Sequence, residues 1–162
     1  MHGMSPIVKN VTRLVAGFIA LFGVYVTLYG HVTPGGGFSG GVILSGALVL
    51  VVLAFGEAYS RKVLPHAVAT TSESLGALAF LLVALFGYAA GGFFVNFLAR
   101  GAVGSLISAG TLPLSNLAIG IKVGSGLFGV FLALALFRRH GEREEGLVVE
   151  RRDRADGEGD DR

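Results

Sequence analysis

One basic residue, Lys122, falls inside an apolar stretch long enough to cross a membrane. A Lys near the bilayer centre costs on the order of 3 kcal/mol on insertion scales, and ionisable groups at that depth are functional candidates. The side chain can belong to an ion pathway among protein neighbours, or it can extend along lipid toward the outer surface. The first interpretation is favoured because Lys122 shares one helical stripe with small residues, namely Ser115, Ala118, Ser125, Gly126 and Gly129.

A second candidate for an ion pathway is His31, which lies in a connection beside a glycine run. Histidine is the side chain whose charge changes most readily near neutral pH, so a proton-related role is one interpretation and a capping or interfacial role the other. Glu57 and Glu73 are expected at the inner ends of membrane helices, which leaves the spans themselves without a carboxylate. Carboxylates are the usual intramembrane carriers of protons and Na⁺, so a partner for Lys122 is expected on another subunit.

Composition excludes several classes of protein. The 162-residue chain is 52% hydrophobic and has no Cys, so it has no disulfide scaffold, Cys-ligated metal site or thiol redox centre. Residues 1–139 carry 8 basic and 2 acidic side chains, whereas residues 140–162 carry 5 basic and 9 acidic ones. The positive body reflects membrane topology rather than nucleic-acid binding. We predict no enzymatic activity, catalytic residue, metal site or cofactor.

Long uncharged runs predict an all-α integral membrane protein with four transmembrane helices. The predicted membrane domain is residues 1–139, with spans at about 11–29, 38–56, 75–95 and 115–137. Lys and Arg concentrate before span 1, between spans 2 and 3, and after span 4, so both termini are predicted to be cytoplasmic. Residues 140–162, with 14 charges, predict a solvated and poorly ordered cytoplasmic tail.

Two segments leave alternatives open. Span 1 follows Lys9 and Arg13 as the apolar part of a signal peptide would, but no convincing small-residue cleavage site follows, which favours a retained helix. Residues 101–114 are rich in Gly and Ser around an apolar pair, a pattern that fits either a half-inserted segment packed on protein or an ordinary external loop.

Small residues at helical spacing predict close helix packing, since apolar side chains do not drive association within lipid. Span 2 has Gly41 and Ser45 four residues apart, span 3 has Gly87 and Gly91, and span 4 has Gly120 and Gly124. Gly120 and Gly124 lie opposite the stripe that contains Lys122 and Gly126. Span 4 therefore has two packing faces, from which we expect a larger assembly or a homo-oligomer.

The connection between spans 1 and 2 carries the most specific motif. A phosphate-binding loop is excluded because the Lys-Ser/Thr pair and preceding strand are missing, so the glycines predict a tight turn with close backbone approach. The string from Gly30 to Gly41 resembles the signature of the B subunit of Mrp-type (Mnh-type) multisubunit Na⁺/H⁺ antiporters. Ser39 stands where many members of that family have Gln. The signature residues are Pro34, Gly35, Gly36, Gly37, Phe38, Gly40 and Gly41.

The resemblance extends over about residues 7–137, and the segment 116–124 is similar to that family's last helix, with its Lys at Lys122. It implies a non-catalytic subunit of a cation/proton antiporter in a prokaryotic plasma membrane, with other membrane subunits and the bilayer as partners and Na⁺ and H⁺ as transported ions. The alternative is the equivalent Na⁺-translocating module of a membrane-bound hydrogenase or related respiratory complex. A stand-alone homo-oligomeric channel and a purely structural assembly factor are also compatible with the sequence.

Overall fold

The part of the chain that the structure describes contains four long helices, as the sequence predicts. A computed structural model describes residues 4–32, 34–56, 65–98, 101 and 109–159. The helices are α1 (Pro6–Leu28), α2 (Gly36–Phe55), α3 (His66–Phe86) and α4 (Leu112–Gly159). A short 3₁₀-helix, Gly87–Ala90, follows α3 directly. The described residues contain no β-strand.

Helices begin at backbone signals rather than at their first apolar residues, so the helix ends differ from the predicted spans. In α1 the Ser5 hydroxyl accepts a hydrogen bond from the Val8 amide at 3.5 Å, and Pro6 occupies the first turn. Lys9 and Arg13 therefore lie inside the first turns of α1 rather than before it. At the start of α4, Leu112 precedes the predicted start by three residues.

The largest difference is at span 3, predicted at about 75–95. Helix α3 begins at His66, and the membrane-length apolar segment is Ala67–Ala90. The prediction began the span after the last charged residue, but Glu is a good helix former and does not interrupt the helix. As a result Glu73, expected before the span, lies in the second turn of this membrane-length helix.

Four helices pack closely in the part of the chain that ends at Gly129. Helices α1 and α2 pack antiparallel, with Gly23 facing Leu44 and Thr27 facing Gly40. Helix α4 runs parallel to α2, because Gly37 faces Asn116 and Gly41 faces Gly120. It runs antiparallel to α3, because Gly76 faces Lys122 whereas the earlier Glu73 faces the later Gly126. Small or short side chains dominate the buried set, which includes Ala16, Thr27, Ser45, Ala47, Ala54, Ala84 and Ala118, with Phe128 as the most buried large residue.

After α3 the chain turns back along the end of that helix. The Phe94 amide donates to the Ala84 carbonyl at 3.2 Å, and the Phe94 ring lies 5.3 Å from the Phe80 ring. The alternatives for residues 101–114 concern mainly 102–108, which lie outside the described residues. Val130–Arg162 is a second compact unit that contains the rest of α4. Here α4 continues to Gly159, and the disorder of residues 140–162 in solution stays a prediction.

The absence of Cys makes the predicted topology directly testable. Val32 and Met4 are 56% and 51% exposed and lie at opposite ends of α1. We expect a membrane-impermeant maleimide to label a Val32→Cys variant in intact cells. A Met4→Cys variant should be labelled only after permeabilisation, since the positive-inside bias places the N-terminus in the cytoplasm. The reverse pattern would contradict the predicted orientation.

Candidate functional site

The signature turn between α1 and α2 is built around one side chain of α4. The Gly37 amide donates to Asn116 Oδ1 at 3.3 Å. A Cβ built on Gly30 would lie 3.0 Å from Asn116 Nδ2, and one built on Gly37 would collide with the Asn116 carbonyl oxygen. Asn116 therefore accepts a hydrogen bond from the free N-terminus of α2, and the glycines let the turn close around it.

Two glycines of the turn have backbone conformations that other residues rarely adopt. Gly35 has φ 127° and Gly36 has φ 64°, so both lie in the left-handed region where a Cβ is strained. These angles reverse the chain between Pro34 and the first turn of α2. The predicted tight turn is thus present, and its two reversing positions require glycine.

The remaining signature residues lie at the start of α2. Gly40 is buried against Thr27, whose hydroxyl donates to the Gly23 carbonyl at 2.8 Å. Phe38 is 63% exposed on the opposite side of the helix. Ser39, at the position of the family's Gln, donates its hydroxyl to the Gly36 carbonyl at 3.2 Å, so it makes a hydrogen bond within its own helix.

His31 is the last of a row of aromatic rings that starts on α1 and continues into the turn after it. The ring centroids of Phe22 and Tyr25 are 6.4 Å apart, those of Tyr25 and Tyr29 5.1 Å, and those of Tyr29 and His31 6.4 Å. The His31 ring is half-buried and nearly parallel to Tyr29, at 14°. This position fits the interfacial interpretation, and a proton-related role for His31 stays a prediction.

The two predicted faces of span 4 both contact helices of the same chain. A Cβ on Gly120 would lie 2.7 Å from Thr27 Cγ2, and one on Gly124 would lie 3.3 Å from the Gly41 carbonyl oxygen. On the other face, a Cβ on Gly126 would lie 3.3 Å from Glu73 Oε1. Helix α4 is therefore packed between α2 and α3, and its two small-residue faces do not by themselves require a larger assembly.

Gly87 and Gly91 were predicted to pack one membrane helix on another, but they lie at the two ends of the 3₁₀-helix that follows α3. Gly87 begins the 3₁₀-helix, where a Cβ would lie 2.6 Å from the Val95 amide nitrogen in the returning segment. Gly91 ends that helix at φ 107°, and a Cβ there would meet nothing within 4 Å. Together the two glycines allow the chain to turn back at the end of α3, because Gly91 takes a left-handed conformation.

Lys122 lies near the middle of the apolar part of α4. It follows Leu112 by ten residues and precedes Ala135 by thirteen, within the membrane-length segment Leu112–Ala135. Ten residues correspond to about 15 Å along the helix, deeper than the roughly 10 Å that a start at Ser115 implies. Its backbone packs on Gly76 of α3, where a built Cβ would lie 2.9 Å from the Lys122 amide nitrogen. The side chain is exposed on the surface of this chain.

Glu73, which the sequence placed at the inner end of a membrane helix, lies at the contact between α3 and α4. Glu73 is half-buried on α3, with its carboxylate against Gly126 of α4, one helical turn from Lys122. The sequence placed Glu73 before span 3, whereas the membrane-length helix Ala67–Ala90 contains it, six residues from its N-terminal end. Among the described residues, no three His, Asp or Glu side chains are grouped so as to hold a metal ion.

Two asparagines were missed as positioning residues. Asn116 secures the signature turn, and Asn96 has the corresponding role after α3, where its Oδ1 accepts from the Thr111 amide at 3.2 Å and the Leu98 amide at 3.1 Å. The start of α4 is thereby attached to the returning segment. The available sequence signal was an amide side chain beside an apolar span, where an uncompensated polar group is costly.

Comparison with known proteins identifies the family. Residues 7–129 match the model of a domain related to the MnhB subunit of the Na⁺/H⁺ antiporter. The chain belongs to the MnhB family. It is 35% identical over 130 residues to an uncharacterised protein of Methanocaldococcus jannaschii, covering 76% of this chain and 49% of that protein. It is also 46% identical over 59 residues to the B subunit of the Na⁺/H⁺ antiporter of Bacillus subtilis, covering 36% of this chain and 41% of that relative.

A solved structure has the same fold as this MnhB-family chain. It is a chain of the membrane-bound sulfane sulfur reductase, an archaeal respiratory membrane complex, with 36% sequence identity and a TM-score of 0.67. The match covers 78% of this chain and 56% of that one. The chain thus spans about half the length of the relatives it matches over most of its own sequence.

Two glycines of α2 provide a matched test of the helix junction. A Cβ on Gly41 would lie 2.8 Å from the Gly120 carbonyl oxygen and 3.0 Å from the Gly124 amide nitrogen, whereas one on Gly46 would meet nothing within 4 Å. We expect Gly41→Ala to destabilise the protein by about 1–3 kcal/mol through overpacking. Gly46→Ala should be neutral or slightly stabilising, because alanine favours the helix. The measurement is the melting temperature of each detergent-solubilised variant; equal values would contradict the packing described.

Proposed function

We propose that this chain is a non-catalytic membrane subunit of a multisubunit Na⁺/H⁺ antiporter in a prokaryotic plasma membrane. The main observation is the exposed Lys122 near the middle of a membrane-length helix, in a chain of the MnhB family. A lipid-facing ammonium at that depth is unfavourable, so this surface of α4 is expected to contact another subunit or a hydrated pathway. The named function of the Bacillus subtilis relative supports antiport.

Limited internal burial supports the same proposal. Within the most apolar window of each membrane-length helix, only 22–33% of the residues are buried inside the chain. A monomer can expose such surface to lipid, but an exposed Lys cannot be accommodated there at the same low cost. The partners proposed for this chain are therefore the larger membrane subunits of an antiporter. Lys122 and His31 are its candidate ion-pathway residues.

A second candidate is the equivalent subunit of a redox-linked complex. The likeness to a chain of the archaeal sulfane sulfur reductase supports it, because that match covers 78% of this chain. Native purification with a tag on this chain, followed by mass spectrometry, separates the candidates. Co-purifying membrane subunits alone support an antiporter, subunits with metal clusters support a respiratory complex, and this chain alone would contradict both.

Replacing Lys122 tests its proposed role. In everted vesicles with the complete complex, we expect Lys122→Ala to lower Na⁺/H⁺ exchange by roughly tenfold or more, because the intramembrane charge is lost. Assembly, measured by co-purification, should be retained. Lys9→Ala, which removes a Lys from the first turns of α1, is the matched control and should exchange normally. Normal exchange by an assembled Lys122→Ala complex would leave Lys122 as a packing residue only.

A further inference from the structure

We propose that Glu73 and Lys122 form an intramembrane proton-transfer couple on the contact between α3 and α4. The inference rests on the proposed function and deepens it, since it adds a carboxylate within this chain to a pathway that otherwise requires one from a partner. The proposal is based on the contact between α3 and α4. Gly76 faces Lys122 and Gly126 faces Glu73, so each charged residue lies opposite a glycine of the other helix.

The reciprocal contacts place the Lys122 backbone and the Glu73 carboxylate at neighbouring positions along α4. The Glu73 carboxylate lies beside Gly126, four residues after Lys122, which is about one helical turn of 5.4 Å along α4. The four-carbon stem of Lys is long enough to span that rise. Within the described residues neither side chain makes a hydrogen bond or ion pair, and the Lys122 side chain is on the exposed surface. For the two groups to meet, the Lys122 side chain extends toward the C-terminal end of α4, where Gly126 faces the carboxylate.

Glycine at position 126 creates the space that the carboxylate occupies. Glu73 Oε1 and Cδ would lie 3.3 Å and 3.4 Å from a Cβ built there, a tight approach for any larger residue. The packing of α4 thus holds the Glu73 carboxylate on the helix contact instead of leaving it to extend toward the N-terminal end of α3. A carboxylate held within an apolar span requires compensation of its charge, and the closest basic residue along the facing helix is Lys122.

The couple can exchange one proton without leaving net charge in the membrane. When the side chains meet, an N–H bond of the Lys122 ammonium breaks and an O–H bond forms on the Glu73 carboxylate. An ion pair thereby becomes a neutral amine and a neutral carboxylic acid, with atoms and charge conserved. The neutral amine then takes a proton from water or from an acid of a neighbouring subunit at the exposed surface of α4. Glu73 returns its proton to water at the N-terminal end of α3.

Activity of the intact complex is the first test. We expect Glu73→Gln to lower Na⁺/H⁺ exchange in everted vesicles as strongly as Lys122→Ala, with assembly retained. Glu57→Gln is the matched control, because Glu57 is the other acidic residue before position 140, and its complex should exchange normally. Wild-type complex without exchange would overturn the proposed function. Active wild type with an equally active Glu73→Gln complex would overturn the couple alone.

Chemical modification is the second test and remains valid if Glu73→Gln fails to assemble. Dicyclohexylcarbodiimide reacts with protonated carboxyl groups in apolar surroundings, so we expect mass spectrometry of treated native membranes to find the adduct on Glu73. The loss of exchange should follow the modified fraction. A Glu73 that stays unmodified would overturn the couple. A modified complex that still exchanges at the full rate would show a buried acid without a transfer role, which also overturns it.

Swapping the two charged residues between their positions distinguishes proton transfer from simple packing. The doubly substituted complex, Glu73→Lys with Lys122→Glu, retains one acid and one base at the helix contact. We expect the doubly substituted complex to recover part of the Na⁺/H⁺ exchange that either single substitution abolishes. The couple needs one acid and one base at the contact, but either helix can carry either group. Recovery of assembly without recovery of exchange would identify a structural ion pair and would overturn the proposed transfer.

Discussion

Close approach of helix backbones is the constraint on which the rest of this structure depends. Lipid surrounds apolar side chains as favourably as protein does, so membrane helices associate through short contacts between small residues. The contacts of Gly40 with Thr27, Gly41 with Gly120, and Gly76 with Lys122 are all of this kind. Each requires one partner without a Cβ, and together they arrange α1, α2 and α3 around α4.

This close packing also determines how polar backbone groups at the helix ends are satisfied. The turn before α2 and the segment after α3 are irregular backbone near the membrane boundary, where unpaired amides are costly. Asn116 accepts a hydrogen bond from the backbone amide of Gly37, beside the turn before α2. Asn96, in the segment after α3, accepts one from the amide of Thr111 at the start of α4. Both side chains reach backbone that is distant in the sequence. The connections are therefore held by tertiary hydrogen bonds, and α4 is positioned at its N-terminal end by two of them.

The same packing brings charge into the membrane in a controlled position. Glycines opposite Glu73 and Lys122 allow α3 and α4 to approach closely while leaving space for a carboxylate beside Gly126. Glu73 is half-buried on this contact, and the Lys122 side chain is exposed on the surface of the chain. The MnhB-family chain thus combines an internal acid with an exposed base. This arrangement is the basis of the proposed proton-transfer couple.

The sequence by itself determined the four long helices of the described residues, their approximate positions, the glycine turn and the place of Lys122 inside an apolar helix. Uncharged length and the special backbone needs of glycine are local properties, so they can be read without a structure. Only the tertiary structure decided that Glu73 lies within a membrane-length helix against Gly126, that Asn116 binds the turn, and that α4 uses both small-residue faces within one chain. The reason is that hydropathy counts composition along the chain and is insensitive to rotation about a helix axis. The same polar residue has one energy when its side chain faces lipid and a very different one when it faces a glycine of a neighbouring helix. The sequence does not distinguish the two cases.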